Sequence, residues 1–346
     1  MVSRKVSGQK YNSIQRIRGI AILAIIISHL DLYNSNLNFA YFGAFGVSVF
    51  IMISGVLTGI RDPAKSNRGG GVLARYKKFL PLHLLTFLLA LILNLEYITL
   101  KLDFEQIIIA VTNIFCMQSW VPMKEYYFSY NSVSWYLSLV LFMEILMPWI
   151  GKWRKMSYKK DVIVLIGGVA VWNMAWYIFP NGYVHWLVYI FPIARIVEFL
   201  IGYMIGVRMA QNVLRENRKI LNGLYMVSWT YILLLLVVSI NVIDNSLFLT
   251  FVWVLPSTII VSLAIYREQH NIGRKDCHID FLKAIGDISM ELFLTHQIVI
   301  RYVKRYLTET GLVVGGFTNI VCIVGIIISV PFVKKFEEKF NLEVKL

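Results

Sequence analysis

Long apolar runs, separated by short polar and basic stretches, recur from one end of this chain to the other. Many of them hold 17 to 22 residues, and a helix needs about 20 residues to cross the hydrocarbon core of a bilayer. The pattern predicts ten spans: 17–33, 40–60, 79–98, 132–150, 161–179, 186–207, 221–242, 246–265, 284–303 and 312–333. We therefore expect an all-α fold, a polytopic membrane helical bundle.

An eleventh apolar segment, 104–121, carries several polar residues within its run. The basic stretches 61–78 and 150–160 belong on one side of the membrane under the positive-inside rule, so an even number of crossings separates them. We assign those crossings to 79–98 and 132–150, and expect 104–121 to form a re-entrant or interfacial helix. The sequence leaves open an alternative in which 104–121 crosses the membrane and one of its neighbours does not.

The composition agrees with a membrane protein. The 346 residues are 58% hydrophobic and 16% charged, and the mean hydropathy is +0.64. The net charge is +14, but the basic residues concentrate in alternate loops and at both ends: 4–18, 61–78, 150–160, 208–219, 266–283 and the C-terminal tail. This is the positive-inside pattern, so we expect both termini in the cytoplasm of a multi-pass protein of the plasma (inner) membrane. The absence of any long polar segment predicts one transmembrane domain over 1–346, with no fused soluble domain and no nucleic-acid role.

Arg18 and His29 lie eleven residues apart in the first span. Eleven helical steps return to nearly the same face, about 16 Å further along the axis. With the N-terminus inside, Arg18 lies at the cytoplasmic edge and His29 lies deeper, towards the outer leaflet. Titratable groups in a span are costly and usually functional, so we expect His29 to act as a general base or relay and Arg18 to hold an anionic group. The structural alternatives are a positive-inside anchor for Arg18 and a carbonyl-bonded histidine for His29.

Further polar residues fall inside the predicted spans. His296 in 284–303 lies at a depth similar to that of His29, so two histidines would line one cavity. Arg195 and Glu198 have the i,i+3 spacing that lets them pair on one helix face, as a structural ion pair or as part of a polar cavity.

Three other residues are candidates for the same cavity. Glu144 needs a partner from another helix, Glu291 precedes His296 by five residues, and Ser54 beside Gly55 fits close helix packing as well as chemistry.

The loop 61–78 combines three glycines, 69–71, with Arg75, Lys77 and Lys78. A flexible basic loop on the cytoplasmic side would suit a nucleotide phosphate, although an ordinary solvated loop has the same composition. The three cysteines, Cys116, Cys277 and Cys322, lack metal-ligand spacing, so we expect neither a metal site nor a disulfide framework.

Six stretches in order resemble the acyltransferase 3 family of membrane O-acyltransferases. They are IQRIRGIAILAIIISHL, FGVSVFIMISGVLTG, ARYKKFLPLHLL, SVSWYLSLVLFMEILMPW, PIARIVEFLIGYMIG and AIGDISMELFLTHQIVI. The resemblance implies transfer of an acyl group, usually acetyl from acetyl-CoA, to a hydroxyl of an extracytoplasmic glycan. It implies that Arg18 and His29 are the essential pair, with Arg195, Glu198 and His296 at other motif positions. Many relatives carry acidic residues directly after Trp-x-Leu-Ser, where this chain has Val140, Leu141 and Phe142.

The resemblance and the charge distribution together predict a bacterial cell-envelope enzyme. Its expected donor is cytoplasmic acyl-CoA, with no permanently bound cofactor, and the expected donor contacts are Arg18, Arg75, Lys77 and Lys78. Its expected acceptor is a surface polysaccharide or lipid-linked glycan near Ser54, Glu144, Arg195, Glu198, Glu291 and His296. A partner protein for a second transfer step is one way to reach a distant acceptor. The alternatives are an exporter or flippase of a surface polysaccharide or lipid-linked sugar, and a non-enzymatic scaffold.

Overall fold

The computed structural model describes residues 11–30, 39–61, 71–94, 103–151, 181–211, 218–241, 250–270, 280–312 and 315–343, with isolated helical residues between 159 and 178. Helix makes up 89% of the structure, and the described residues contain no strand. The long helices are α1 (Asn12–His29), α2 (Ala40–Ile60), α3 (Gly71–Leu93), α4 (Phe104–Ile114), α6 (Trp135–Ile150), α8 (Pro192–Ala210), α9 (Arg218–Ser239), α10 (Phe251–Gln269), α12 (Ser289–Glu309) and α13 (Gly315–Glu343). Three short helices connect them: α5 (Lys124–Tyr127), α7 (Asn181–His185) and α11 (Phe281–Asp287).

Seven helical segments among the described residues are long and apolar enough to cross a membrane: 40–60, 71–93, 132–150, 182–210, 220–239, 251–269 and 316–340. This number is smaller than the ten predicted spans. The predicted span 161–179 lies mostly outside the described residues. Helices α1 and α12, which contain most of the other two predicted spans, are not among the seven.

Several boundaries differ from the sequence prediction. The stretch 71–78, which we expected to be part of a flexible loop, forms the first two turns of α3. Its Leu, Ala, Arg and Lys residues favour helix whether or not they are apolar. Hydropathy locates the start of the apolar part of α3, whereas the helix itself already begins at Gly71. The predicted span 284–303 is interrupted between α11 and α12, and Pro192 begins α8 after a π-helical turn, 186–190.

The segment 104–121 does not form a full span. Its helix α4 has only 11 residues, which corresponds to about 16 Å and is too short for the hydrocarbon core. It is followed by short turns and by α5 before α6 begins. Within this segment Cys116 has φ +55°, a left-handed conformation that helps to reverse the chain after α4. The expectation of a non-crossing helix here agrees with the structure.

The backbones of helices α2 and α8 cross very close together, because both helices carry glycines at the crossing. Gly55 and Gly59 of α2 face Gly202 and Gly206 of α8, and a methyl group on Gly206 would overlap the backbone of Val56. Small residues spaced four apart let two helix backbones approach closely in a membrane. The crossing forms the centre of the bundle and fixes the polar residues that lie one or two turns away on both helices.

The periphery of the bundle is apolar and exposed. Large apolar side chains point outward on α9 and α13, among them Leu233, Leu234, Val237, Ile320, Ile327 and Phe332. An exposed surface of this kind is unstable in water and is expected against lipid. By contrast, α2 is almost entirely buried, so the bundle has a protein-lined centre in which polar groups avoid lipid.

Candidate active site

His29 and His296 meet in the interior of the bundle. Their rings are 5.0 Å apart between centroids and stand at 72° in an edge-to-face arrangement. His29 is the last residue of α1, and His296 lies two turns into α12 with no exposed surface. The two histidines that the sequence places at similar depth are therefore in contact.

Both imidazoles are held in the same tautomer by the backbone. Nδ1 of His29 lies 2.8 Å from the carbonyl oxygen of Ile25, and Nδ1 of His296 lies 2.8 Å from that of Leu292. Since a carbonyl oxygen only accepts, each Nδ1 carries the proton and donates it. The lone pair of each neutral ring is therefore on Nε2, and Nε2 of His296 is buried with no hydrogen-bond partner in the described part of the chain. This is the protonation pattern that a general base needs.

A turn before α6 is pinned against the helix that carries His296. The side-chain amide of Asn131 donates to the carbonyl of Leu294 at 2.8 Å, and the guanidinium of Arg301 donates to the carbonyl of Tyr130 at 2.6 Å. Tyr130 has φ +50°, and Asn131 is fully buried. These bonds fix α12 on both sides of His296, so the position of its ring is determined by tertiary contacts.

A cluster of cations lies at the other end of α1. Arg18 is within electrostatic range of Arg61 and Arg75, and Lys78 is within range of the same three arginines. We call Arg18, Arg61, Arg75 and Lys78 the cationic cluster. Nε of Arg18 is buried and has no hydrogen-bond partner among the described residues. Several like charges held together favour binding of an anion.

Two carboxylates moderate this charge. Glu144 of α6 accepts from Arg75, with Nε and Nη2 of the arginine both 2.8 Å from the same oxygen. The expectation that Glu144 needs a partner from another helix is confirmed, since Arg75 belongs to α3. The second carboxylate, Glu337 of α13, lies within electrostatic range of Lys78.

Tyr136 of α6 lies between the cationic cluster and the histidines. It is within electrostatic range of Arg18 and Arg75. On the other side, the Tyr136 ring packs on Phe293 with centroids 5.3 Å apart, and Phe293 is 6.3 Å from His296. We call these residues, taken in this order, the buried series: the cationic cluster, Tyr136, Phe293 and the histidine pair.

Arg195 and Glu198 form the expected ion pair on one face of α8. Nη1 of Arg195 lies 2.9 Å from Oε1 of Glu198, and both side chains are fully buried. Ser48 of α2 lies between them, accepting from Nη2 of Arg195 at 3.3 Å and donating to Glu198 at 3.4 Å. The ring of Tyr189 is 5.4 Å from the guanidinium carbon. The pair joins α8 to α2 beside the glycine crossing.

Two predicted site residues lie elsewhere. Lys77 is exposed on α3. Glu291 lies within electrostatic range of Glu337, so its carboxylate is near the charged end of α13. Of the three glycines, Gly71 begins α3 with φ +51°, and 69–70 lie outside the described residues.

Two residues of the series were missed in the sequence. Arg61 is the residue directly after α2, and the basic stretch 61–78 contained it without distinguishing it from its neighbours. Tyr136 follows Trp135 in the WYLS stretch. An aromatic residue next to a tryptophan gives no signal in sequence beyond helix packing.

The described residues contain no group of three or more His, Cys, Asp or Glu placed to hold a metal ion. Cys116 and Cys322 are buried thiols, and Cys277 is outside the described part of the chain. An open cavity of about 420 Å³ lies to one side of the series, between α3, the turn after α4, and α6. It is lined almost entirely by apolar side chains, including Leu73, Trp120 and Phe142.

The helical bundle and its buried series define a multi-pass membrane protein with a cationic cluster towards one end of α1 and a histidine pair at the other end. The chain belongs to the acyltransferase 3 family, because that family's model of an acyltransferase domain matches residues 11–334, essentially the whole chain. No match was found among curated proteins or among solved structures.

Proposed function

We propose that this protein is an integral membrane O-acyltransferase that moves an acyl group, acetyl in the simplest case, from cytoplasmic acyl-CoA to a hydroxyl of an extracytoplasmic or lipid-linked polysaccharide. The observation that carries the proposal is the buried series, which has the cationic cluster at one end and the His29–His296 pair at the other. Membership of an acyltransferase family supports the reaction class. The donor, the acceptor and the acetyl group belong to the proposal.

The cationic cluster suits the donor. Acyl-CoA carries several phosphate charges, and guanidinium groups bind phosphate with charge-assisted hydrogen bonds. Arg18 has a buried N–H without an acceptor, which a phosphate or thioester oxygen would satisfy. The ten-span topology with both termini in the cytoplasm is part of the proposal, and it places this cluster on the cytoplasmic side.

The histidine pair suits the acceptor. Nε2 of His29 takes the proton of the acceptor hydroxyl as the hydroxyl oxygen attacks the carbonyl carbon of the thioester. A carbon–oxygen bond forms, the carbon–sulfur bond breaks, and the departing thiolate takes up the proton to leave as free CoA thiol. The ring centroid of His296 lies 5.0 Å from that of His29, and this packing keeps the His29 ring in place. A transient acyl-histidine would use the same Nε2 atom, followed by transfer of the acyl group to the hydroxyl.

The experiment is a His29→Ala substitution, with His270→Ala as its matched control. His270 also bonds its Nδ1 to the carbonyl four residues earlier, at 2.9 Å, but it is exposed at the end of α10. Surface glycans from a deletion strain carrying each variant are analysed by proton NMR for O-acyl groups. We expect O-acylation to be lost with His29→Ala and retained with His270→Ala, at equal protein levels.

Two outcomes contradict the proposal. Normal O-acylation with His29→Ala would show that this histidine has no catalytic role. Loss of the surface polymer itself in the deletion strain, with normal acylation of the remainder, identifies an exporter and not an acyltransferase.

A further inference from the structure

The open cavity between α3, the turn after α4, and α6 has a volume of about 420 Å³ and apolar walls. Aromatic packing fixes part of its wall, since the ring of Trp120 lies 5.1 Å from that of Phe142 and 5.6 Å from that of Phe191 between centroids. A preformed apolar cavity of this size is typical of a ligand site. The residues that line it differ from those proposed for acyl transfer, so the cavity calls for an occupant of its own.

The hydroxyl groups on the walls of the cavity already have acceptors. The hydroxyl of Tyr76 donates to the carbonyl of Ile114 at 2.9 Å, and the hydroxyl of Ser138 donates to the side-chain oxygen of Gln118 at 3.3 Å. A cavity that offers water so few polar partners stays dry and takes apolar guests. The walls therefore favour a hydrocarbon chain over a sugar or a nucleotide.

The mouth of the cavity lies on the apolar outer surface of the bundle. Four large apolar side chains line the cavity and are also exposed: Leu73 by 60%, Phe115 by 59%, Met117 by 52% and Ile145 by 45%. Exposed apolar surface of this kind is expected against lipid. A lipid chain can therefore enter the cavity from the bilayer without passing a polar barrier.

Basic side chains of α3 flank the cavity. Arg75 directly precedes Tyr76, and its side chain is 37% exposed although it pairs with Glu144. Lys77 is exposed and lies one helical turn after Leu73. Both cations belong to the charged first turns of α3, which precede its apolar part and so lie at the membrane surface. Cations at this depth meet phosphate headgroups, and basic pockets between membrane helices bind anionic lipids.

We propose that this cavity binds one hydrocarbon chain of an anionic phospholipid, whose phosphate group meets Arg75 and Lys77. A phospholipid is favoured over a lipid-linked glycan because the cavity adjoins Arg75 of the cationic cluster, whereas the histidine pair that would act on a glycan lies at the other end of α1. The site goes beyond the proposed acyl transfer and does not depend on it.

Trp120 lines the cavity and reports directly on its occupant. The protein is reconstituted into phosphatidylcholine vesicles that contain an increasing fraction of a brominated-chain lipid, because bromine quenches the fluorescence of a tryptophan that the chain contacts. The contribution of Trp120 is the difference between the protein and its Trp120→Phe variant. Trp149, which is 53% exposed on α6, provides the reference for bulk lipid through Trp149→Phe.

The expected result is a preference for the anionic lipid at Trp120 alone. Brominated phosphatidylglycerol should quench Trp120 at a fraction about fivefold lower than brominated phosphatidylcholine, since one basic residue near the membrane surface gives a preference of about this size. The two lipids should quench Trp149 at fractions that agree within about twofold, because this side chain contacts lipid without a cavity.

Two pairs of variants test the wall and the headgroup site, each measured with and without Trp120→Phe. Val72→Phe adds bulk to the cavity wall, and Val237→Phe adds the same bulk to an exposed position on α9. Lys77→Gln removes a cation beside the cavity, and Lys334→Gln removes an exposed one from α13. We expect Val72→Phe to reduce quenching of Trp120 and Lys77→Gln to lower the preference for phosphatidylglycerol by about fivefold, with both controls unchanged.

Three results overturn the proposal. The first is quenching of Trp120 that is equal for the two lipids, and the second is a Val72→Phe or Lys77→Gln variant that behaves like its control. The third is displacement of brominated phosphatidylglycerol by unlabelled polyprenyl phosphate at a lower fraction than by unlabelled phosphatidylglycerol, which would identify an isoprenoid lipid carrier as the occupant. Normal O-acylation with His29→Ala overturns the proposed catalytic mechanism and leaves the lipid site standing, because the quenching assay requires no acyl transfer.

Discussion

Replacing Glu198 by Gln leaves the charge of Arg195 buried without its counter-ion. The two side chains have no exposed surface, and the charged atoms are 2.9 Å apart. At an effective dielectric constant of about 20, unit charges at that distance attract by about 6 kcal/mol, before the cost of desolvation is subtracted. Removing one partner of a buried pair costs about 3–5 kcal/mol. Gln keeps an oxygen that can accept from Ser48, so we expect a loss of about 3 kcal/mol in the free energy of unfolding.

The chain provides an exposed pair for comparison. Arg305 and Glu309 of α12 are 2.7 Å apart but are 40% and 60% exposed, and such pairs contribute about 0–1 kcal/mol. We therefore expect Glu309→Gln to change the stability by no more than about 0.5 kcal/mol. The contrast between the two Glu→Gln variants isolates burial, since the substitution is the same in both.

The assay is unfolding by increasing SDS in mixed micelles, followed by tryptophan fluorescence and by a second probe to check two-state behaviour. A double variant, Arg195→Met with Glu198→Leu, removes both charges and is expected to be more stable than Glu198→Gln alone. If Glu198→Gln loses less than about 1 kcal/mol, or if the double variant is the least stable of all, the reasoning about an uncompensated buried charge is refuted.

Two further predictions concern packing and donor binding. Gly206→Ala should destabilise the protein by about 2 kcal/mol, because the added methyl meets the backbone of Val56, whereas Gly223→Ala on α9 meets open space and should be neutral or stabilising; equal SDS midpoints for the two variants would contradict this. Arg61→Gln should raise KM for acetyl-CoA on the order of tenfold at low salt with kcat little changed, and the difference should shrink as salt is added; an unchanged KM at low salt would show that Arg61 does not contact the donor.

The sequence predicted the general architecture because lipid imposes simple rules on it. Runs of apolar residues predicted the helical bundle, and the even number of crossings between two basic stretches predicted the non-crossing helix in 104–121. Boundaries were less accurate where a helix extends beyond its apolar part, as α3 does from Gly71. Helices α1 and α12 are not among the seven apolar spanning segments, and they carry His29 and His296. A helix buried among other helices tolerates more polar residues than one that faces lipid.

Within the site, spacing along one helix and depth in the membrane were enough to predict some contacts. The Arg195–Glu198 pair follows from i,i+3 spacing, and the contact of His29 with His296 agrees with the similar depth predicted for them. Contacts that depend on how the helices pack against one another could not be predicted from the sequence. The bond of Arg75 with Glu144 joins α3 to α6, and the position of Tyr136 depends on Phe293 from α12, so neither partner could be named from periodicity.

The glycine crossing between α2 and α8 has a consequence for the order in which the protein is made. Roughly 130 residues separate the end of α2 at Ile60 from the start of α8 at Pro192. At about 5–20 residues per second, the ribosome takes about 7–26 s to synthesise that interval. During this time the glycine face of α2 is in the membrane without its permanent neighbour. The insertion machinery or lipid must cover it, and a substitution that slows α8 would prolong the period in which α2 is open to the wrong partner.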